Sequence, residues 1–279
     1  MAPESLSLAA FLSDAGSLVV LTGAGVSTSS GIPDYRDRNG EWKQSQPIQY
    51  GDFVRSASAR KRYWSRSCIG WPHFSKAAPN PAHEALARLE SNGKVDTVIT
   101  QNVDELHARA GSHNVIDLHG RLSKVRCLGC DAVTERSAFQ RALADANPGW
   151  HAQATAIRAD GDAELGHADE EDFIVPACDA CGGMLKPDVV MFGESVPKPR
   201  VKEAMGAIDR ADALLVTGSS LMVFSGYRFA RRASETGKPI AILNQGRTRA
   251  DDLAALRIDA DCSAVLPQAV DAVAAGRSG

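Results

Sequence analysis

Short apolar runs and polar, glycine-bearing stretches alternate along most of the chain. Residues 18–21 form a compact apolar run that opens directly into Thr22, Gly23, Ala24 and Gly25. Residues 95–100, 115–118, 189–192, 213–217 and 239–243 read as further buried strands, since each is a brief apolar run bounded by turn formers. Residues 6–12, 55–67, 83–89, 201–209, 226–235 and 264–275 read as helices, with Pro81 suited to a first helical turn. Trp71-Pro72 and residues 79–81 mark loops. Strands alternating with helices predict an α/β fold, a Rossmann-like parallel sheet with helices on both faces. One stretch, 127–181, breaks the rhythm. It holds a short helix over 137–145 and an acidic segment, 160–172, that reads as an exposed loop.

Polar residues gather just after the apolar strands, at 23–36, 101–104, 218–220 and 244–245. In open α/β sheets, ligands bind at the carboxyl ends of strands, so four such ends point to one cleft. Glycines there let backbone approach a phosphate, and successive N–H groups favour an anion. The Gly23-Ala-Gly25 run lacks the third glycine of the usual dinucleotide fingerprint, and by itself it equally describes a tight turn.

The cysteines speak more directly. Cys127 with Cys130, and Cys178 with Cys181, form two C-x-x-C knuckles. Four thiolates make a closed tetrahedral zinc site, hence a structural ion. Buried free pairs or a redox dithiol are the alternatives. Cys68 reads as a small buried apolar residue. We therefore divide the chain into a Rossmann-like domain, 1–120 and 184–279, and a small zinc-binding module, 121–183.

Among the histidines, His119 is the candidate general base, because it ends a strand and an ordinary imidazole accepts a proton near neutrality. The other reading is a plain strand-end histidine. His83 and His107 fall on helical segments and read as structural; His73, His113, His151 and His167 read as loop or surface residues.

Composition narrows the classes. The 279 residues are 44% hydrophobic and 23% charged with net charge -3, which argues against a dedicated nucleic-acid binder. No apolar run is long enough to span a bilayer. The first basic residue is Arg36, and the opening segment carries Glu4 and Asp14, so neither a signal nor a transit peptide is expected, and a cytoplasmic location is.

These segments resemble the sirtuin family. Gly23-Ala-Gly-Val-Ser-Thr-Ser-Ser-Gly-Ile-Pro-Asp-Tyr-Arg36 resembles its signature loop, and Thr100-Gln-Asn-Val-Asp104 with His107 its second motif. Leu118-His-Gly120 resembles the catalytic-histidine motif. The two knuckles, Lys186-Pro-Asp-Val-Val-Met-Phe-Gly-Glu194, Gly218-Ser-Ser-Leu221 and Leu243-Asn244 follow in the family's order, over nearly the whole chain. Tyr35, the Tyr-Trp pair at 63–64 and Ser-Gly-Tyr at 225–227 are similar to class II, the branch holding the mitochondrial members. Ser225 stands where many members carry Pro, which leaves the peptide-side preference open.

The resemblance implies an NAD-dependent protein lysine deacylase, with NAD as co-substrate, one structural zinc and acyl-lysine proteins or peptides as partners. The acyl group would pass to ADP-ribose as nicotinamide leaves. His119 and Asn102 would be catalytic, His119 by deprotonating a ribose hydroxyl. Asn102 and Asp104 would line the nicotinamide pocket, and Gln101 would hold ribose hydroxyls. Ala24, Gly25, Arg36 and Ser219 would contact phosphates and ribose, and Tyr35 would shield the reactive face. Asn244 and Cys262 would lie near the adenosine. Gly23, Asp34, Gly218, Ser220, Gln245 and Gly246 complete the implied cofactor set. Val190, Phe192, Gly193 and Glu194 would offer a strand edge to the substrate peptide.

Tyr63 and Arg66 lie three residues apart on a predicted helix and share a face. The pair resembles one that grips acidic acyl chains, and a guanidinium fork suits a carboxylate. A solvated Arg beside a core Tyr is the alternative. Mono-ADP-ribosyl transfer, or a non-catalytic NAD or ADP-ribose sensor, would use the same cleft. A zinc-ribbon nucleic-acid module would require a basic face, whereas Lys124 and Arg126 are followed by the acidic segment.

Overall fold

The computed structural model of the chain describes residues 2–158, 160–166 and 170–276. His167, expected at the surface, and part of the acidic segment lie outside the described residues. The first elements are α1 (Pro3–Asp14), β1 (Leu18–Thr22), α2 (Tyr50–Arg55), α3 (Ala57–Phe74), α4 (Pro81–Ser91), β2 (Val95–Thr100), α5 (Leu106–Arg109) and β3 (Val115–Asp117). Then come β4 (Gly120–Cys127), β5 (Val133–Glu135), α6 (Arg136–Ala146), β6 (Ala154–Ile157), β7 (Ala163–Leu165) and β8 (Leu185–Val189). The chain continues through α7 (Lys198–Arg210), β9 (Ala213–Thr217), α8 (Phe224–Glu235), β10 (Ile240–Leu243), β11 (Leu256–Ile258) and α9 (Cys262–Gly276). They divide into two compact units: Met1–Gln44, Ala78–Leu118 and Val196–Gly279 form the first, Ser45–Ala77 and His119–Ser195 the second.

The first unit is built on a six-stranded parallel sheet of order β11-β10-β9-β1-β2-β3. Strands β1, β9 and β10 are buried at every position, as expected of unbroken apolar runs covered on both faces. Leu8 and Leu12 of α1, Leu86 and Leu89 of α4, and Leu266 and Val270 of α9 pack on Val20, Val98 and Leu215. Helices α7 and α8 contact β2 and β9. Pro81 is the first residue of α4, and Asn80 caps it by accepting from the Ala82 N–H at 2.9 Å. From β1 the chain builds outward to β2 and β3, then returns to β9 and builds the other way. The strand order therefore reverses between β1 and β9, which opens a crevice at their carboxyl ends. Thr22 pairs with both Thr100 and Thr217, so the three strands end level.

The second unit holds a three-stranded antiparallel sheet, β5-β4-β8, and a hairpin, β6-β7. Its core is aromatic: Phe53, Tyr63, Trp64, Phe139 and Phe173 are buried. The Trp64 indole N–H donates to the Leu185 carbonyl at 3.2 Å. Arg136 is fully buried between Trp64 and Trp71, 5.4 and 5.3 Å from their ring centres, and donates to Ser67 and Gln140. Burial holds its pKa down to about 10.

Several expectations are corrected here. The apolar run at 189–192 is not a strand of the parallel sheet. The strand is Leu185–Val189, it is antiparallel to β4, and it lies at the edge of the small sheet, where Pro187 is tolerated. The second unit is larger than the 121–183 module, since it also takes α2 and α3. Trp71-Pro72 lies in the last turn of α3 rather than in a loop. The acidic segment is not wholly an exposed loop. Within it β7 pairs with β6, Asp162 is buried, and Glu164 pairs with the nearly buried Arg158. The helix read over 55–67 is α3, which begins at Ala57 and runs on to Phe74; the extended Ser56 separates it from α2 and caps it, accepting from the Ala59 N–H at 3.2 Å.

Candidate functional site

Two loops at the crevice of the first unit are fastened to each other. After β1 the chain makes a short 3-10 turn, Ala24–Val26. The Gly25 N–H donates to the Gly218 carbonyl after β9, at 2.8 Å. Gly218 has φ 62, and a Cβ there would lie 2.2 Å from the Val26 nitrogen. The glycines thus bring two loops together, a requirement beyond the close approach to phosphate anticipated from sequence. Beside them is a cleft of about 300 Å³. Gly25, Asp34, Gly218, Asn244, Gln245 and Cys262, all in the expected set, line it with Thr28, Ala260 and Asp261, which sequence reasoning did not single out. The glycine backbone at Gly25 and Gly218 lets a phosphate approach closely, and the Asn244 amide and the carboxylates suit ribose and base. The donor set therefore fits a dinucleotide.

The other expected residues of this unit surround the same loops. Gln101 donates through Nε2 to Ser219 Oγ at 2.7 Å and to the Thr22 carbonyl at 3.2 Å. The Ser220 carbonyl accepts from the Arg249 N–H at 2.8 Å. The Asn244 amide donates to the carbonyls of Gln245 and Gly246, and the Gly246 N–H donates to Asp259 at 3.0 Å. Burial pushes the Cys262 thiol up to about 11, so it stays a neutral lining group. Asp34 is paired with Lys43. Arg36 donates to the Gly40 carbonyl at 2.6 Å and lies 4.1 Å over the Trp42 ring, whose edge meets Tyr35. Both are thereby built into a hairpin-like loop.

Asn102 and Asp104 meet at a residue that sequence reasoning did not pick. Ser27 Oγ accepts from Asn102 Nδ2 at 2.9 Å and donates to Asp104 Oδ2 at 2.7 Å. The Leu106 N–H donates to Asp104 Oδ1 at 2.9 Å. Burial raises the Asp104 pKa, and these donors oppose the rise. Behind Ser27 stands His83, with Nε2 3.4 Å from Ser27 Oγ. The Asn80 N–H donates to His83 Nδ1 at 3.3 Å, so Nδ1 is the acceptor and Nε2 carries the proton toward Ser27. Asn80 also donates to the Val26 carbonyl at 2.8 Å, tying the loop to α4. His107 Nε2 lies 2.9 Å from Thr22 Oγ1, and its ring stands 4.8 Å from that of His83. Burial lowers His83 to about 4 and His107 well below its ordinary value, so both are neutral. His83 and His107 are structural in that they sit on helices, yet they border the candidate site. A signal was present in the sequence only for His107, which lies within the second motif.

In the second unit, His119 is the first residue of the segment His119–Ser195, and its carbonyl accepts from the Val190 N–H at 2.7 Å. Phe192 forms a bridge with Gln49, and Gly193 has φ 79. The Glu194 carboxylate accepts from the buried Lys186 at 3.0 Å and from the Met191 N–H at 2.9 Å, so it fastens the turn after β8. Tyr63 is buried against Phe53 and Trp64, and burial pushes its pKa far up. Arg66 donates to Glu170 at 2.8 Å.

The four knuckle cysteines are brought together, their sulfurs all within 4.8 Å of one another. The Cys127 and Cys181 sulfurs are 3.5 Å apart, those of Cys130 and Cys178 3.8 Å, and no disulfide joins them. The two turns match. The Cys127 carbonyl accepts from the Asp131 N–H, and the Cys178 carbonyl from the Gly182 N–H. Peptide N–H groups of Gly129 and Cys130 lower Cys127 to about 6, while Cys181, facing Cys130 and Cys127, is pushed up to about 12. Thiolates this close need a dication between them, and a tetrahedral zinc ion fits the set.

Comparison with known proteins agrees with this geometry. A profile of the Sir2 family matches residues 23–225. A Bradyrhizobium diazoefficiens protein named NAD-dependent protein deacetylase 2 is 56% identical over 249 residues, covering 89% of this chain and 91% of that one. The Drosophila melanogaster NAD-dependent protein deacylase Sirt4 is 48% identical over 264 residues, covering 94% and 85%. A solved structure described as Sir2 with a p53 peptide and NAD+ superposes with TM-score 0.75 at 31% identity, covering 99% of each chain. With the loop pair, the Ser27 network and the cysteine cluster in place, the chain belongs to the Sir2 family, the sirtuins.

Proposed function

We propose that the protein is an NAD-dependent protein lysine deacylase, a transferase that moves the acyl group to ADP-ribose and releases nicotinamide. The observation that carries this reading is the Ser27 hub, which presents Asn102 and Asp104 together beside the dinucleotide cleft. When bound, NAD supplies a ribose carbon that becomes electrophilic as nicotinamide departs. Asp104 accepts from and orients the carboxamide, and Asn102 is held by Ser27 to order the group beside it. The loops at 23–25 and 218–220 seat the diphosphate by the close approach that their glycines allow. His119 accepts the proton of a ribose hydroxyl. Tyr35 and Arg36, fixed by Trp42, close the loop against water. The Cys127, Cys130, Cys178 and Cys181 site holds zinc as a structural ion with no open position.

The substrates are acyl-lysine proteins or peptides, a reading supported by relatives named deacetylases and by the Sir2 complex with a peptide. We take acetyl as the acyl group. Arg66 is already bonded to Glu170 and Tyr63 is buried, so an acidic acyl chain would have to displace an internal ion pair. Residues 190–194 are the proposed peptide edge. We propose a cytoplasmic location and no dedicated nucleic-acid role, in keeping with a net charge of -3. Among the described residues no helix is long and apolar enough to cross a membrane.

The test is mass spectrometry of the protein with NAD and acetyl-, succinyl- and glutaryl-lysine peptides. We expect loss of acetyl with matching nicotinamide and O-acetyl-ADP-ribose, and none with His119→Tyr. Nicotinamide release with ADP-ribose on protein, and no acyl loss, would overturn the reading.

A further inference from the structure

One surface of the first unit carries chemistry that neither the dinucleotide cleft nor the cysteine cluster uses. Val223 and Phe224, at the start of α8, are 38% and 46% exposed. Three guanidinium groups surround the Phe224 ring, those of Arg228 at 5.1 Å, Arg231 at 5.9 Å and Arg249 at 5.9 Å. Arg249 also stacks 4.4 Å over Tyr227. Helix α8 begins without a side-chain cap and without an acid in its first turn, so its positive end is not neutralised. Further along, Arg231 is paired with Glu235 and Arg232 with Asp209. Arg228 and Arg249 make no ion pair among the described residues, and the Arg228 Nε is buried without a hydrogen-bond partner. Unneutralised charge is thereby confined to one end of the helix. Arg249 is also held in place, since its N–H donates to the Ser220 carbonyl and its guanidinium to the Met222 carbonyl at 3.3 Å.

We propose that this surface docks acidic side chains of the acyl-lysine protein, and so selects substrates with Asp or Glu near the modified lysine. The proposal rests on the deacylase reading above. Its chemistry is direct. A guanidinium ordered on an aromatic face has lost part of its freedom beforehand, and it offers a carboxylate a two-pronged donor. Val223 and Phe224 give the apolar stems of the same segment a surface to cover. Positive charge collected in a chain of net charge -3 is complementary to an acidic segment. A nucleic acid would call for a longer basic stripe, whereas acids already neutralise the later arginines of α8. Arg249 lies in the loop after β10 and is bonded through its N–H to Ser220 of the loop after β9, and both loops carry cleft-lining residues, Gln245 and Gly218.

The test uses the full chain and three peptides that share one acetyl-lysine and differ only in acidic, neutral or basic flanks. With wild type we expect kcat/KM for the acidic peptide to exceed that for the neutral one by about fivefold, the size two exposed ion pairs give, and to fall toward it in high salt. Arg228→Glu with Arg249→Glu should reverse the order, favouring the basic peptide. Arg249→Gln, whose fold is checked by its melting curve, should level it. Equal kcat/KM for the three peptides with wild type, or an acidic preference that survives charge reversal, would overturn the proposal. Should no peptide turn over, the deacylase reading fails, and anisotropy of the labelled acidic peptide on wild type and the reversed variant decides docking by itself. A labelled oligonucleotide that binds more tightly than the acidic peptide and is lost on reversal would assign the surface to nucleic acid and overturn the proposal.

Discussion

The Ser27 hydroxyl donates to Asp104 Oδ2 at 2.7 Å while accepting from Asn102 Nδ2 at 2.9 Å, so one side chain sets the orientation of two others. Removing it leaves a buried carboxylate and an amide without their common partner. Ser27→Ala should lower kcat/KM for NAD by about 10- to 100-fold, as loss of a hydrogen bond to a charged group costs about 1.5–3 kcal/mol. Zinc content should not change. Steady-state kinetics beside metal analysis checks both; an unchanged kcat/KM would remove Ser27 from the site.

His83 makes the same network sensitive to acid. Its folded pKa, about 4, lies below the ordinary 6.5, so folding favours the neutral ring. The stability linked to this shift is fully present above pH 6.5 and is lost as pH falls toward 4. Integrated, it amounts to about 3 kcal/mol. Melting temperature should decline across that window in wild type, and the decline should be shallower in His83→Gln. Parallel curves would show that His83 does not contribute the effect.

At the crevice, Gly218→Ala places a methyl group 2.2 Å from the Val26 nitrogen, at a backbone φ of 62 that L residues rarely adopt. The loops after β1 and β9 would have to part. Calorimetric titration with ADP-ribose should show at least a tenfold loss of affinity. Retained affinity would mean that the loop pair is not needed to hold the diphosphate.

The cysteine cluster predicts a different kind of failure. A Cβ at Gly183 would lie 2.9 Å from Cys127 Sγ and 3.0 Å from Cys181 Sγ, within the space the four sulfurs need. Gly183→Ala, like chelation or Cys178→Ser, should release zinc and unfold the second unit, because a structural ion contributes folding energy. Near-ultraviolet circular dichroism follows the aromatic core of that unit. An unchanged spectrum after full metal loss would contradict a structural role.

Much of this architecture is legible in the sequence where one segment determines its own fate. The runs at 95–100 and 213–217 coincide with β2 and β9, because strands covered on both faces are largely apolar; in β2 only Asp96 is exposed. Strand β4 was hidden for a physical reason. Its buried residues Leu122, Val125 and Cys127 do not alternate regularly, since the register shifts between Gly120 and Val125. The partnership of His83 with Ser27 and Asn80 was hidden because it spans the loop after β1 and the cap of α4, 56 residues apart from Ser27 to His83. The mate of Arg66 was equally out of reach. The Arg66–Glu170 ion pair joins residues 104 positions apart, which no local pattern records.

Strand β1 lies beside β9 in the sheet, with Leu18 opposite Ala213. These neighbours are nearly 200 positions apart along the chain, and both excursions into the second unit come between them. A growing polypeptide therefore carries the Gly23–Gly25 loop long before it has the Gly218 loop that the dinucleotide seat also requires. Every shorter product, whether released early or cut by a protease before residue 218, lacks that seat. Competence to hold the dinucleotide is thus acquired late in synthesis, and it reports that the chain has been made past β9 and on to Cys262 at the start of α9.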